Sequence, residues 1–154
     1  MYQHIMVPLD GSELAECVLP HLEAIATKCD AKKVTLVRVI EPLHLYGGLE
    51  YSFSPEERQR LEDDSLDAAR SYLAQVVKRF KKKRITAEAE ILHGHVVDKL
   101  VEYTNTRDVD LIIIASHGRS GVSRWVWGSV TDRVVRASCV PVLIVRAPGC
   151  EPSL

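Results

Sequence analysis

Residues 110–136 read DLIIIASHGRSGVSRWVWGSVTDRVVR, and the fold class follows from this stretch. The run Leu111 to Ala115 is apolar, rich in β-branched isoleucine and too short for a helix. It does not alternate between apolar and polar residues, which is the pattern of a central parallel strand buried on both faces. A loop rich in Gly, Ser and Arg follows, from Ser116 to Gly128. Ser129 to Arg136 then has the spacing of an amphipathic helix that starts just past a glycine. A strand, a glycine-bearing loop and a helix N-terminus together make an anion site, because backbone N–H groups and the helix dipole both favour negative charge there.

The same alternation extends in both directions. His4 to Leu9 (HIMVPL) reads as the first strand, ending near Pro8 and the Asp10-Gly11 turn signal. Ser12 is a natural N-cap with Glu13 in the first turn, and apolar residues from Leu14 to Ala26 keep a helical period, with Pro20 expected inside that helix as a source of a kink. Val34 to Ile40 is a β-branched second strand ended by Pro42. Leu43 to Ser54 is a long irregular loop, the kind that is usually functional. Ser54-Pro55-Glu56-Glu57 starts a helix that runs to about Lys82 and finishes in a cationic turn facing the negative end of its dipole. Ile85 to Leu92 alternates and suits an edge strand; His93-Gly94-His95 is a turn; Val96 to Thr106 is a helix with Val97, Leu100, Val101 and Tyr103 inward. Cys139 to Arg146 is the last strand. The order β-α-β-α-β-α-β-α-β predicts one parallel sheet with helices on both faces, binding its ligand beyond the carboxyl ends of the strands.

Composition limits the function. The chain of 154 residues suits one domain, and a net charge of −1 gives no general attraction to nucleic acid or acidic membranes. No signal peptide and no apolar run of membrane-spanning length is visible, so a cytoplasmic protein is expected. The cysteines, Cys17, Cys29, Cys139 and Cys150, form no CxxC pair and read as buried or idle thiols.

These residues resemble the universal stress protein family over about residues 2 to 146. The resemblance rests on IMVPLDGS near the start, VTLVRVIE in the second strand, the 110–136 stretch and CVPVLIVR at the end. It implies a Rossmann-like, adenine nucleotide alpha hydrolase-like sheet of five parallel strands in the order 3-2-1-4-5, one domain over residues 1–147 and a polar tail. The ATP-binding branch of that family carries a glycine, two residues, a second glycine, nine residues, then glycine and Ser or Thr. Gly118, Gly128 and Ser129 match the later part, and Ala115 stands at the first glycine. Strand ends normally have negative φ, so alanine is expected to fit there. The resemblance implies that Pro8, Leu9 and Asp10 line an adenosine pocket, with Asp10 accepting from a ribose hydroxyl. It implies that Val39 meets adenine, that Ile114 and Ala115 lie under adenine and ribose, and that backbone N–H groups of Gly118, Gly128, Ser129 and Val130 hold phosphates. Arg119 and Arg124 are placed to reach a phosphate on charge grounds alone. Mg²⁺ would accompany ATP, and Val140 to Val145 would pair across a two-fold axis as a homodimer.

Other motifs carry less. There is no GxxxxGK[ST] and no GxGxxG. Ser116-His117 lacks a third group for nucleophilic chemistry, and His93 and His95 have no Cys or acidic partner at ligand spacing. Trp125 and Trp127 suit loop packing or an interface more than base stacking. No committed general base stands near the expected γ-phosphate, so any ATPase activity is expected to be slow. Two further readings stay open from sequence: a dimeric interaction module whose pocket Ala115 closes, and a binder of AMP or a cyclic nucleotide.

Overall fold

A computed structural model of the chain describes residues 1–42, 54–116 and 128–148. The elements are β1 (His4–Pro8), a 3₁₀ turn (Ala15–Val18), α1 (Leu19–Cys29), β2 (Lys33–Ile40), α2 (Pro55–Lys81), β3 (Ala87–His93), α3 (Val96–Thr106), β4 (Leu111–Ala115), α4 (Ser129–Ala137) and β5 (Val142–Val145). The five strands form one parallel sheet in the order β3-β2-β1-β4-β5. β4 is buried along its whole length, as its unbroken apolar run requires.

Two cores lie on opposite faces of the sheet. Ile5 and Val7 of β1, Val34 and Leu36 of β2, and Leu111 and Ile113 of β4 pack with Leu22 and Ala26 of α1 and Leu73, Val76 and Phe80 of α2. Met6, Val37, Ile112 and Ile114 pack on the other face with Val97, Leu100 and Tyr103 of α3 and Val134 of α4. The alternation of β1 and β2 between the two cores follows from the two-residue period of a strand.

The sheet opens between β1 and β4, and Pro8 explains where. The register of these strands runs only from Ile5 opposite Leu111 to Met6 opposite Ile112. Alternate residues of β1 address alternate neighbours. Leu9 donates its N–H to the Val37 carbonyl of β2 (2.8 Å), so Pro8 faces β4. A proline has no N–H with which to continue that ladder.

Several boundaries differ from expectation. Ser12 does not cap α1 directly: its Oγ accepts from the Ala15 N–H (3.2 Å) and starts the 3₁₀ turn. Pro20 sits in the first turn of α1, a position that proline favours, so it acts as a start signal for the regular helix. The last strand is shorter than Cys139 to Arg146, because Cys139 and Val140 form a bend and only Val142 to Val145 are in register with β4. α2 starts as expected, with Ser54 and Glu57 forming a reciprocal capping box and Pro55 in the first turn. Its buried residues, Ala69, Leu73, Val76 and Phe80, all lie in its C-terminal half. At about 1.5 Å per residue its 27 residues span roughly 40 Å, against roughly 26 Å for β2, so its N-terminal half runs past the carboxyl edge of the sheet.

Candidate functional site

The opening between β1 and β4 leads into a cavity of about 520 Å³ at the carboxyl ends of the strands. Pro8, Leu9 and Asp10 come from the end of β1, Val39 from β2, Ile114 and Ala115 from β4, and Gly128, Ser129 and Val130 from the start of α4. The structure thus brings these nine expected residues around one space. Gly118, Arg119 and Arg124 lie outside the described residues, as do His117, Trp125, Trp127, Cys150 and the loop Leu43 to Phe53. Ala115 is buried and carries no positive φ, so the strand end accepts its methyl group without backbone strain.

Asp10 both shapes its turn and borders the cavity. Its Oδ1 accepts from the Ser12 N–H (2.9 Å) and the Ser12 hydroxyl (2.6 Å), while Gly11 holds φ 82° between them. The carboxylate is therefore fixed by a short relay that ends at the Ala15 N–H. Behind it lies a charged cluster. The Tyr72 hydroxyl of α2 is shut off from solvent and has no hydrogen-bond partner among the described residues. Burial pushes its pKa up, the Glu16 and Asp10 carboxylates push it further, and the Arg38 guanidinium opposes them. Glu16 stands close to that hydroxyl without good hydrogen-bond geometry and pairs instead with Arg79 (2.8 Å).

The other end of the cavity is a helix N-terminus. The first intrahelical bond of α4 runs from the Asp132 N–H to the Gly128 carbonyl (3.0 Å). The N–H groups of Ser129, Val130 and Thr131 precede it and so have no partner within the helix. Gly128 itself plays a different part from the one expected. Its N–H donates to the Ser116 carbonyl (2.8 Å), so it anchors the turn and does not offer that N–H to an anion. Its φ of −49° suits any residue, and only its place at the cavity wall favours the absence of a side chain.

Ser116 is similarly structural. It is buried, its N–H donates to the Val145 carbonyl (2.8 Å), and its Oγ accepts from the Ala147 N–H (3.1 Å). The His93-Gly94-His95 turn holds Gly94 at φ 132°, and no cluster of His, Cys, Asp or Glu among the described residues is arranged to hold a metal ion. Cys17, Cys29 and Cys139 are free thiols.

Several residues of the cavity were not anticipated. Arg38, Glu41, Ser65, Val96 and Thr131 also line it. Glu41 Oε1 accepts from the Val96 N–H (3.2 Å) and so caps α3, whose own N-cap residue His95 makes no side-chain capping bond. Arg38 had a visible signal, being the one charge inside VTLVRVI. Ser65 had none, because only the overhang of α2 brings it to the cavity.

Comparison with known proteins agrees with this architecture. The family model described as the universal stress protein family matches residues 1–146. Universal stress protein MJ0577 of Methanocaldococcus jannaschii is 29% identical over 157 aligned residues, covering 95% of this chain and 96% of the relative. Its solved structure superposes with a TM-score of 0.81 at 29% identity, covering 99% of both chains. A universal stress protein solved in complex with cAMP shares the fold at a TM-score of 0.65 and 24% identity, covering 95% of this chain and 98% of the other. An Arabidopsis thaliana family member solved with AMP bound does so at 0.68 and 18%, covering 96% and 93%. A match along nearly the whole chain, joined to the sheet order and the cavity at its switch point, leads to one conclusion: the chain belongs to the universal stress protein family.

Proposed function

We propose that this protein binds ATP, as its magnesium complex, in the cavity between β1 and β4, and works as a dimeric switch or adaptor in the cytoplasm. The observation that carries the reading is the pairing, at the two ends of one cavity, of Asp10 with the start of α4, whose first N–H groups have no partner within the helix. An apolar wall of Leu9, Val39 and Ile114 suits a purine face, and a carboxylate held in place suits a ribose diol. The N–H groups at Ser129 and Val130, reinforced by the helix dipole, suit phosphate oxygens, with the Ser129 hydroxyl assisting. The volume is in the usual range for a small-molecule site. Gly118 and Arg119, and beyond them Arg124, would complete the phosphate end from the loop. Mg²⁺ would be carried by the phosphates and water, and would neutralise charge that the helix N-terminus shares.

The occupied site would change the surface formed by the loop between Ser116 and Gly128 and so present or withdraw a partner face. The test is calorimetric titration with Mg-ATP, beside mass spectrometry of small molecules released from freshly purified protein. Micromolar binding or co-purified ATP is the expected result, and neither appearing would overturn the reading. Gly128→Asp should abolish binding by setting a side chain and negative charge at the cavity wall, whereas unchanged affinity would remove α4 from the site.

A second reading is a shorter adenine nucleotide in the same cavity. The family members solved with AMP and with cAMP favour it. Competition of AMP and cAMP against Mg-ATP ranks the three ligands directly. The remaining alternative, a module whose cavity Ala115 closes, predicts that Ala115→Gly creates affinity that the native chain lacks.

A further inference from the structure

The side chain of Thr131 behaves differently from those of Thr104 and Thr106 in α3. Thr104 and Thr106 return their hydroxyls to their own helix, bonding the Leu100 and Glu102 carbonyls four residues back (2.8 Å each). Thr131 Oγ1 instead leaves α4 and donates to the Ala115 carbonyl at the end of β4, at 2.8 Å and fully buried.

The geometry of the sheet explains why that carbonyl needs a donor. The Ser116 N–H points to β5, where it bonds Val145. Across a trans peptide the carbonyl points the opposite way, so the Ala115 carbonyl faces β1. There the ladder has already stopped at Met6 and Ile112. The opening that makes the cavity therefore leaves one buried acceptor at its floor, and Thr131 supplies the bond. A second tie, from the Gly128 N–H to the Ser116 carbonyl, also joins the start of α4 to the end of β4.

We propose that Thr131 is the positioning residue of the phosphate end: its hydroxyl fixes the height of the α4 N-terminus over the end of β4, and so the aim of the Ser129 and Val130 N–H groups into the cavity. This rests on the nucleotide reading for the identity of the ligand, and on the Thr131–Ala115 geometry alone for the tether. Thr131 touches β4 through its hydroxyl and offers the ligand only its N–H, so its side chain acts through its neighbours. Loss of the hydroxyl leaves the Ala115 carbonyl buried without its bond, and an anion site depends on placement to a few tenths of an ångström.

The experiment compares native protein, Thr131→Val and Thr131→Ser. Valine keeps the shape and removes the hydroxyl; serine keeps the hydroxyl. In the ligand-free proteins, amide hydrogen exchange at Asp132 and Arg133 should quicken about tenfold in the valine variant and return in the serine variant. In titrations, Mg-ATP affinity should fall about tenfold or more in the valine variant while adenosine affinity stays within about twofold, and serine should restore the first. Equal loss of Mg-ATP and adenosine would mean a merely structural role and overturn the proposal, as would exchange rates that valine leaves unchanged. Should native protein take up no Mg-ATP, the nucleotide reading falls, and the exchange rates still decide the tether.

Discussion

Tyr72 shows how a single side chain can carry the pH response of the site wall. Its ordinary pKa is 10.0, and burial together with the Glu16 and Asp10 carboxylates raises it in the fold. The folded chain therefore keeps a proton that the unfolded chain gives up above about pH 10, so stability falls as pH rises through that window. Lys33, raised from 10.5 chiefly by its hydrogen bond to Glu88, loses its contribution in the same direction at slightly higher pH. Urea midpoints measured from pH 8 to 11 should fall less steeply in Tyr72→Phe than in the native chain, with Lys33 leaving a residual slope. At neutral pH the variant should be close to native, because the hydroxyl makes no hydrogen bond among the described residues. Equal slopes would show that neither burial nor the Glu16 and Asp10 carboxylates raise the phenol's pKa in the fold. At this scale the sequence was legible only in part. Asp10 and Ser129 were visible from the turn and cap chemistry around them. Thr131 was hidden, because its role depends on a carbonyl sixteen residues away that a ladder fails to reach.

Among the elements, α2 declares itself most clearly. Ser54, Pro55 and Glu57 write its start in the sequence, and the capping box forms with both bonds present (3.1 and 2.7 Å). Ser54→Ala should cost about 1 kcal/mol in urea denaturation, from the loss of the bond to the Glu57 N–H. A change well below half of that would mean that the overhanging half of α2 contributes little to global stability. α1 was harder to read. Asp10, Ser12 and Glu13 look like an immediate helix start, but the Asp10–Ser12 relay uses those side chains to close a turn, and the regular helix waits until Pro20 can occupy its first turn. β4 was legible because a strand buried on both faces leaves an unbroken apolar run, whereas the start of β5 was not, because Cys139 and Val140 are apolar or small yet bend before the ladder begins.

For the whole molecule, the alternation of strands and helices was sufficient to give a parallel sheet, whose carboxyl end holds a cavity, and the order β3-β2-β1-β4-β5 puts β5 at an edge among the described residues. Val142, Leu143 and Ile144 are half-buried there. The Pro141 carbonyl accepts from the Ile112 N–H of β4 (3.0 Å), so the donor that Pro141 lacks would also have faced β4. By alternation the outward groups belong to Val142 and Ile144, and that edge keeps its donors. Pairing of two copies through this edge predicts that Val142→Pro turns a dimer into a monomer in sedimentation while circular dichroism stays native. A native chain that sediments as a monomer, or a variant that stays dimeric, would exclude this edge as the contact.

Pro8 has one more consequence, for the order in which the molecule assembles and comes apart. The seam between β1 and β4 joins segments about a hundred residues apart, as the Asp110 carboxylate bonding the His4 N–H illustrates. Closing such a distance is entropically costly. With the ladder cut short by Pro8, little backbone pairing is available to reward that closure. A ligand lodged between the end of β1 and the start of α4 bridges the same seam. If the seam forms only after the rate-limiting step, such a ligand should leave the rate of folding almost untouched and lengthen the lifetime of the folded state, which unfolding rates with and without Mg-ATP would test. The proline that makes room for the ligand would thereby give it control over persistence, so that the occupied protein outlasts the empty one.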